Sequence, residues 1–176
     1  HLTGDNLARK RYINPSYNLS DIKMKRGDKK AIVIGATGLV GQALVERLQQ
    51  SDDFSLITVV VRKKSDILKS YSKVKQLILE DFLLLNDEDV SSHTHAFSCL
   101  GSTIKQAGSK EKFYAIDYEI NAHFADLVQD KNIHLLVVSA LGANAKSLIF
   151  YNKVKGELEQ YLKSLSIYKL SIFQPS

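Results

Sequence analysis

A short apolar run that ends in a glycine-rich turn constrains the fold of this chain more than any other feature. Residues 31–34 contain only alanine, valine and isoleucine and predict a buried strand, which leads directly into a turn with Gly35, Gly38 and Gly41. Apolar side chains then recur at helical spacing, which predicts a helix through about residue 50. Strand, glycine turn and helix in this order form the unit in which helix N–H groups bind the pyrophosphate of a dinucleotide. The sequence therefore predicts a dinucleotide-binding domain.

The rest of the chain alternates short apolar runs with longer segments of helical periodicity. Further strands are expected at residues 56–61, 74–79, 96–100, 135–139 and 168–173, and further helices at residues 112–129 and 151–164. No hairpin signal such as Asn-Gly joins adjacent runs, which is typical of strands connected by crossover helices. The pattern predicts an α/β protein with a Rossmann-type doubly wound parallel sheet of about six strands and helices on both faces.

The excess positive charge is confined to the first residues of the chain. Residues 1–30 carry eight basic and three acidic side chains, which accounts for the net charge of +5, whereas residues 31–176 carry 16 of each sign. We therefore expect residues 1–28 to be an N-terminal arm, either flexible or added to the natural sequence, and residues 29–176 to be the folded domain. The balanced domain argues against a nucleic-acid partner, and no apolar stretch is long enough to span a membrane.

The few cysteine and histidine residues predict neither a disulfide framework nor a metal site. Cys99 is the only cysteine, which suits a reducing compartment, and we expect a cytoplasmic protein. His93 and His95 lie near it, but no second cluster of histidine or cysteine accompanies them, so no metal is expected. Cys99 itself is expected to be a buried apolar residue, with a redox-sensitive role as the alternative.

The residues that close the second predicted strand indicate which dinucleotide is preferred. In NAD-binding domains a carboxylate at this place binds the adenosine ribose hydroxyls, whereas this chain has Arg62, Lys63 and Lys64. A guanidinium group can bind a 2′-phosphate through two hydrogen bonds and stack beside the adenine. The sequence therefore favours NADP over NAD as the cofactor, with a solvated basic loop as the alternative interpretation.

Three side chains with complementary chemistry are expected at the carboxyl edge of the sheet. Tyr151 and Lys155 are four residues apart and share one face of the last predicted helix, and Ser139 ends the preceding strand. A tyrosine is a poor acid or base at neutral pH, and a nearby ammonium group lowers its pKa. Because ligands of doubly wound sheets bind at this edge, we expect the three side chains to meet around a carbonyl group.

These motifs together resemble the short-chain dehydrogenase/reductase superfamily in its atypical or extended branch. Three segments narrow the resemblance to the Tat-interacting-protein family of oxidoreductase-like proteins: FSCLGST at residues 97–103, KQAG at residues 105–108 and YNKVKGELE at residues 151–159. The resemblance extends over about residues 29–176. It implies hydride transfer between a bound nicotinamide cofactor and a carbonyl or alcohol substrate.

The resemblance also implies a role for individual positions. Ser139 would orient the substrate carbonyl, Tyr151 would exchange its proton, and Lys155 would bind the nicotinamide ribose and tune the tyrosine. Arg62 would bind the adenosine phosphate. The other positions that match cofactor-binding residues are Gly35, Thr37, Gly38, Leu39 and Val40 in the pyrophosphate loop, Asp81 and Phe82 at the adenine, and Leu100 and Gly101 in the turn after the fourth predicted strand.

The chain departs from the resembled family in two places. Many members have an asparagine in the helix before the fifth predicted strand that assists a proton relay, and the matching residue here is Asp117, with Asn121 one turn later. Either a carboxylate replaces the amide or the relay differs. The sequence also stops at residues 174–176, where members continue into the substrate pocket, so we expect the C-terminal substrate region to be missing.

Two functions are compatible with these residues. The first is an NADP-dependent short-chain dehydrogenase/reductase in which Ser139, Tyr151 and Lys155 act on a small-molecule carbonyl or alcohol. The second is a regulatory protein that senses NADP(H) and binds protein partners without turnover. The intact set of three favours the enzyme, because a sensor does not need it, although a fold alone never proves an activity.

Overall fold

A seven-stranded sheet forms the centre of the computed structural model, which describes residues 7–14, 27–140 and 142–175. Its strands are β1 (Leu7–Ile13), β2 (Lys29–Ile34), β3 (Phe54–Val61), β4 (Val74–Ile78), β5 (His95–Ser98), β6 (His134–Val138) and β7 (Lys169–Pro175). Their order across the sheet is β1-β7-β6-β5-β2-β3-β4, and every pair from β7 to β4 is parallel. The direction of winding reverses between β2 and β5, which confirms the predicted doubly wound Rossmann-type fold.

Helices cover both faces of this sheet. They are α1 (Leu39–Gln50), α2 (Asp87–Ser91), α3 (Ile104–Ala107), α4 (Lys110–Tyr114), α5 (Asn121–Val128) and α6 (Phe150–Ser164). On one face, Val45 and Leu48 of α1 pack against β2 and β3; on the other, Phe124 of α5 and Leu158 of α6 join a larger buried cluster. The residues of the first predicted strand are fully buried between these layers, as a parallel strand covered on both faces requires.

The segment between α4 and α5 is a π-helical stretch, Ala115–Ile120, so that residues 110–128 form one continuous rod. The sequence predicted a regular helix over residues 112–129. A π-helical turn inserts an extra residue into the helix, which re-aims the side chains beside it, and such turns are frequent at functional sites. Asp117 lies in this stretch and is completely buried.

The N-terminal strand β1 corrects the prediction of an arm that is separate from the sheet. Residues 7–13 pair antiparallel with β7, and the Nζ atom of Lys10 lies 3.7 Å from the carboxylate of Glu159 on α6. The ammonium group of Lys163 lies 4.9 Å from the ring centre of Tyr12. The sheet thus has an antiparallel edge strand beyond the six predicted parallel strands. The rest of the predicted arm, residues 1–6 and 15–26, lies outside the described residues.

In the part of the chain that the structure describes, none of the helices has both the length and the apolar character needed to cross a membrane.

Candidate functional site

The turn between β2 and α1 contains three glycines. At Gly35 and Gly41 the close approach of other main-chain atoms leaves no room for a Cβ atom, whereas at Gly38 there is room for one. Gly35 has a φ of +77°, and a Cβ there would lie 2.5 Å from the backbone of Cys99 and Leu100. A Cβ at Gly41 would overlap the carbonyl oxygen of Gly35. At Gly38 the nearest atom to a Cβ would be 3.8 Å away, which is an ordinary contact. The open space at Gly38 therefore fits a ligand that approaches the backbone closely.

The start of α1 also differs from the start of α2 in a way that suits an anion. Helix α2 begins with a capping box between Asn86 and Asp89 and has acidic residues throughout its first turn. In the described residues around the start of α1, Gly38 supplies no side-chain cap, and the first turn contains no acidic residue. The N–H groups of α1 and the positive end of its dipole are thus free to bind a phosphate.

A cleft of about 420 Å³ lies at the carboxyl ends of β2 and β3 beside this turn. It is lined by Gly35, Ala36, Thr37, Val60, Val61, Arg62, Lys63, Phe82 and Leu100. The guanidinium group of Arg62 lies 5.8 Å from the ring centre of Phe82. A flat apolar ring beside a cation fits an adenine with a phosphate on its ribose. The structure therefore brings together most of the residues predicted for the adenosine half of the cofactor.

Three other predicted positions have side chains outside this cleft. The carboxylate of Asp81 accepts the N–H of Leu83 at 2.9 Å and so caps the short 3-10 helix at Phe82–Leu84. The side chain of Leu39 is exposed, and that of Val40 lines a separate apolar groove on α1. At Leu39 and Val40 only the main chain is available to a pyrophosphate.

Tyr151 and Lys155 lie on one face of α6, as their spacing predicts, but the lysine is paired with a third residue. Its Nζ atom lies 2.5 Å from Oδ1 of Asp117, and the side chains of Lys155 and Asp117 are 4% and 0% exposed. The Nζ atom is 6.0 Å from the ring centre of Tyr151. A Cβ on Gly101 would lie 3.3 Å from Asp117 and 3.4 Å from Lys155, so the ion pair touches the turn predicted to line the cofactor.

The electrostatics of Tyr151 differ from the sequence prediction. We expected Lys155 to lower the pKa of the phenol, but burial, and after it the charge of Asp117, raise this pKa above its ordinary value. The main physical reason is that the phenol is partly withdrawn from water; in addition, the charge of Asp117 opposes the ammonium group that was expected to stabilise the phenolate. Burial likewise raises the pKa of the Asp117 carboxyl, and the ion pair with Lys155 opposes that effect.

Ser139 directly follows β6 at the carboxyl edge of the sheet. Its N–H donates to the carbonyl oxygen of Phe173 at 2.7 Å, whereas its Oγ atom is buried and has no hydrogen-bond partner among the described residues. A buried hydroxyl of this kind is unusual in a protein, and it can donate a hydrogen bond to a water molecule or to a ligand. The structure shows no direct contact between Ser139 and Tyr151 in the described chain, so their predicted meeting around a carbonyl group stays a prediction.

Two features of this site were not evident from the sequence. The first is the pairing of Asp117 with Lys155. The second is Gly156, where a Cβ would overlap the backbone of Asn144 and Ala145, so that the loop after β6 can press directly on α6. The sequence signal for Gly156 was its place in the segment YNKVKGELE, where a glycine stands inside a helix despite its low helix propensity.

The side chains considered for metal or redox chemistry are engaged in packing. His93 contacts the hydroxyl of Thr58 at 2.7 Å, and His95 packs against the ring of Phe54 at 5.2 Å. Within residues 7–14, 27–140 and 142–175, no group of three metal-ligating side chains occurs. Burial raises the pKa of Cys99 to about 12, so the reactive thiolate is not formed at neutral pH.

The fold and the glycine cleft define a Rossmann-type domain that binds a nicotinamide dinucleotide. Residues 30–118, about half of the chain, match the family described as "Semialdehyde dehydrogenase, NAD binding domain", and the chain belongs to this family.

Curated relatives match most of the chain. "Protein FMP52, mitochondrial" of Candida albicans is 36% identical over 148 residues, which are 81% of this chain and 64% of that protein. "Protein HTATIP2" of Rattus norvegicus is 30% identical over 159 residues, which are 88% of this chain and 64% of that protein. The rat protein confirms the resemblance to the Tat-interacting-protein family. The chain spans less than two thirds of the length of these relatives.

Solved structures with a similar fold belong to the extended short-chain dehydrogenase and epimerase class. The UDP-glucuronic acid 4-epimerase of Bacillus cereus, solved in complex with NAD, superposes with a TM-score of 0.64 at 13% identity and covers 78% of this chain and 53% of its own. The Lmo0794 protein of Listeria monocytogenes has a TM-score of 0.56 at 22% identity, with 77% and 72% covered. At these identities the likeness establishes the fold alone.

The relatives overturn one sequence prediction. We expected a cytoplasmic protein, but the FMP52 relatives from Candida albicans, Lodderomyces elongisporus and Eremothecium gossypii are named as mitochondrial proteins. The expectation rested on the single Cys99, and a scarcity of disulfides reports on redox conditions and not on the compartment.

Proposed function

We propose that this chain is the cofactor-binding part of an oxidoreductase of the short-chain type that interconverts a carbonyl and an alcohol. The observation that carries the proposal is the buried, unpartnered Oγ atom of Ser139, at the same sheet edge as the Tyr151–Lys155 pair and the glycine cleft. This hydroxyl supports the proposal because it has a hydrogen bond to donate and can donate it to a substrate oxygen.

In this proposal each residue has a defined task. The N–H groups at the start of α1 bind the pyrophosphate, and Lys155 contacts the nicotinamide ribose. The bound cofactor supplies or accepts the hydride. During reduction, Tyr151 donates its phenolic proton to the carbonyl oxygen while Ser139 donates a hydrogen bond to the same oxygen; during oxidation, Tyr151 takes the proton back. The net change is one hydride on the carbonyl carbon and one proton on its oxygen.

We propose that NADP(H) is preferred over NAD(H). The support is the pair of cations in the cleft, Arg62 and Lys63, at the place where an NAD-binding site has a carboxylate. Arg62 beside the Phe82 ring is suited to a 2′-phosphate, because a guanidinium group can form two parallel hydrogen bonds to it.

The alternative is a protein that senses NADP(H) and binds protein partners without turnover. The engagement of Lys155 by Asp117 favours this alternative, because a lysine held in a buried ion pair is less available to lower the pKa of Tyr151. We further propose a mitochondrial location, which the names of the FMP52 relatives support and cell fractionation of the tagged protein tests.

Cofactor binding is tested by titrating the chain with NADPH and NADH and following the fluorescence of the reduced nicotinamide. We expect both to bind, and NADPH to bind more tightly. Binding of neither would contradict the whole proposal, whereas equal affinities would contradict only the preference.

Turnover is tested with a panel of aldehydes and ketones and the Tyr151→Phe variant. We expect the variant to lose carbonyl reduction by a factor of about 100 or more, because the proton donor is removed, and to bind NADPH normally. Tyr161→Phe is the matched control, because Tyr161 lies on the same helix and donates its hydroxyl proton to Asp126 instead. Normal NADPH binding without turnover of any compound would favour the sensor.

A further inference from the structure

The ion pair between Lys155 and Asp117 is the most deeply buried charged contact that the structure shows at the candidate site. Its two atoms are 2.5 Å apart, and both side chains are shielded from water. The second carboxylate oxygen of Asp117 accepts the N–H of Ser102 at 3.0 Å. Two charges removed from water in this way are retained only where each compensates the other. Lys155 and Asp117 therefore act as one neutral unit toward their surroundings.

The position of Asp117 is fixed by a network that reaches back to the sheet. The side-chain amide of Asn121 donates to the carbonyl oxygen of Asp117 at 2.9 Å and to that of Leu100 at 3.4 Å. The hydroxyl of Ser98, at the end of β5, donates to Asn121 in turn. The π-helical turn of Ala115–Ile120 lets Asp117 project toward α6 while Asn121 remains in the network. Asp117 is thus held in place against the turn at Leu100 and Gly101, which is predicted to line the cofactor.

Few groups besides this pair determine the charge at Tyr151. Two charged groups of the described residues act on it: Lys155 on its own helix, with Nζ 6.0 Å from the ring centre, and Asp117 from the π-helical turn. Helix α4 faces it with the ring of Phe113, at 5.2 Å, and Lys110 of the same helix lies over the neighbouring ring of Phe150 instead. With the two charges opposed, burial of the phenol favours its protonated form.

We propose that Asp117 is a positioning residue that neutralises Lys155 and so keeps Tyr151 in its proton-donating form around neutral pH. The inference rests on the proposed function and adds to it the residue that sets the ionisation of Tyr151. Reduction requires a protonated tyrosine, whereas oxidation requires the phenolate as base. The ionisation of Tyr151 therefore sets the pH range in which each direction is fastest and leaves the equilibrium between carbonyl and alcohol unchanged.

The experiment measures the ionisation of Tyr151 in the chain without nucleotide. The ultraviolet absorbance of phenolate is followed during an alkaline titration of the wild-type chain and of Asp117→Asn, and the Tyr151→Phe counterpart of each is subtracted. We expect Asp117→Asn to shift the midpoint of Tyr151 to lower pH, so that its phenolate fraction at a fixed pH below the midpoint rises by about tenfold. A shift of this size is typical when an opposite charge within ~6 Å is no longer compensated. An unchanged or higher midpoint would overturn the inference.

Two further variants keep the test decisive. Asp126→Asn is the matched control, because Asp126 accepts the hydroxyl of Tyr161 and helps raise the pKa of Tyr161 to about 12; the midpoint of Tyr151 should not change. Lys155→Met removes the positive charge of the ion pair and should shift the titration midpoint of Tyr151 to higher pH. This variant tests the effect of the Lys155–Asp117 pair on Tyr151 if Asp117→Asn does not fold. Equal shifts in Asp117→Asn and Asp126→Asn, or a downward shift in Lys155→Met, would contradict the inference.

The pH dependence of turnover provides a second readout. In Asp117→Asn, the pH profiles of carbonyl reduction and of alcohol oxidation should both be displaced to lower pH. The tyrosine titration needs neither nucleotide nor substrate, so its failure contradicts the role of Asp117 alone. A chain that fails to bind NADPH contradicts the proposed function and leaves the titration result standing.

Discussion

Polar side chains occur at both ends of the parallel strands, which form the amino edge and the carboxyl edge of the sheet, but they differ in whether they have hydrogen-bond partners. At the amino edge, His134 contacts the hydroxyl of Ser171 at 2.7 Å and His95 contacts that of Thr94 at 2.8 Å. At the carboxyl edge, the hydroxyl of Ser139 is buried without a partner in the described chain. The two histidines at the amino edge thus have partners within the protein, whereas the Ser139 hydroxyl at the carboxyl edge is available to a ligand.

The difference follows from the parallel sheet itself. Parallel strands gather all amino ends at one edge and all carboxyl ends at the other, and the turns into the crossover helices form the ligand site at the carboxyl edge. Substitutions of residues that face the ligand site at the carboxyl edge should therefore change binding more than stability, whereas a glycine packed against the backbone there is needed for stability. Substitutions at the amino edge should change stability and leave nucleotide binding intact.

The largest effect is expected within the glycine turn. Gly41→Ala should lower the free energy of unfolding by about 3 kcal/mol or more, because its Cβ would overlap the backbone at Gly35. Gly38→Ala should lower it by less than ~1 kcal/mol but weaken NADPH binding, because the new methyl group occupies the open space beside α1. Urea unfolding and NADPH titration measure the two effects. A Gly38→Ala chain with normal affinity would place the pyrophosphate elsewhere.

The amino edge should make stability depend on pH. Burial, and after it the charge of Lys169, lowers the pKa of His134 to about 3, and burial and Lys29 lower that of His95 to about 4. Because the unfolded chain takes up these protons near pH 6.5 and the folded chain does not, stability is complete above that pH and falls as the pH drops toward 3. The loss is up to about 1.4 kcal/mol per pH unit for each histidine.

Urea unfolding at pH 7 and pH 5 tests this dependence. His134→Gln should reduce the difference in unfolding free energy between the two pH values and leave NADPH binding unchanged. His123→Gln is the matched control, because His123 lies on α5 and contacts the carbonyl oxygen of Leu85 at 2.9 Å, away from the amino edge. A His134→Gln chain with the wild-type pH dependence would show that the buried imidazole is not its source.

A smaller and more selective effect is expected at Arg62. Arg62→Ala should weaken NADPH binding by about 10-fold to 100-fold, the size of a charge-assisted contact to phosphate, and change NADH binding little. Lys64→Ala should have little effect, because Lys64 is exposed and does not line the cleft. If Arg62→Ala weakens both nucleotides equally, the arginine contacts the adenine or the pyrophosphate and not a 2′-phosphate.

The smallest effect on stability is expected for a substitution at the contact between β1 and α6. Lys10→Ala should lower the free energy of unfolding by less than ~1 kcal/mol, because the Lys10 side chain is 44% exposed and its ion pair with Glu159 is screened by water. Thermal unfolding measures the change. A loss of several kcal/mol would show that β1 is anchored mainly through this contact and not through its main-chain pairing with β7.

Local patterns in the sequence predicted most of the fold and the cofactor cleft. The Gly35 turn, the apolar runs and the spacing of Tyr151 and Lys155 are short-range features whose structural meaning depends little on the rest of the chain. The pairing of Asp117 with Lys155 could not be predicted in this way, because it depends on a π-helical turn in one helix facing another helix across the end of the sheet.

Strand β1 was missed for a related reason. Its basic residues resemble a solvated arm, and residues 7–13 form a strand because β7 offers a free edge to their main-chain groups. Tertiary context of this kind overrides local propensity. The raised pKa of Tyr151 has the same origin, since the burial of the phenol and, after it, the charge of Asp117 both come from residues that are distant in sequence.

The pairing of β1 with β7 also determines which strand edge is exposed for pairing with a second copy of the chain. A sheet that ended at β7 would offer a row of unpaired N–H and C=O groups to any passing strand. With β1 in place, the outer strands are β1 and β4, and exposed cations stand on both: Lys10 and Arg11 on the first, Lys75 on the second. Cations on the outer strands are one of the ways in which proteins disfavour edge-to-edge pairing of sheets.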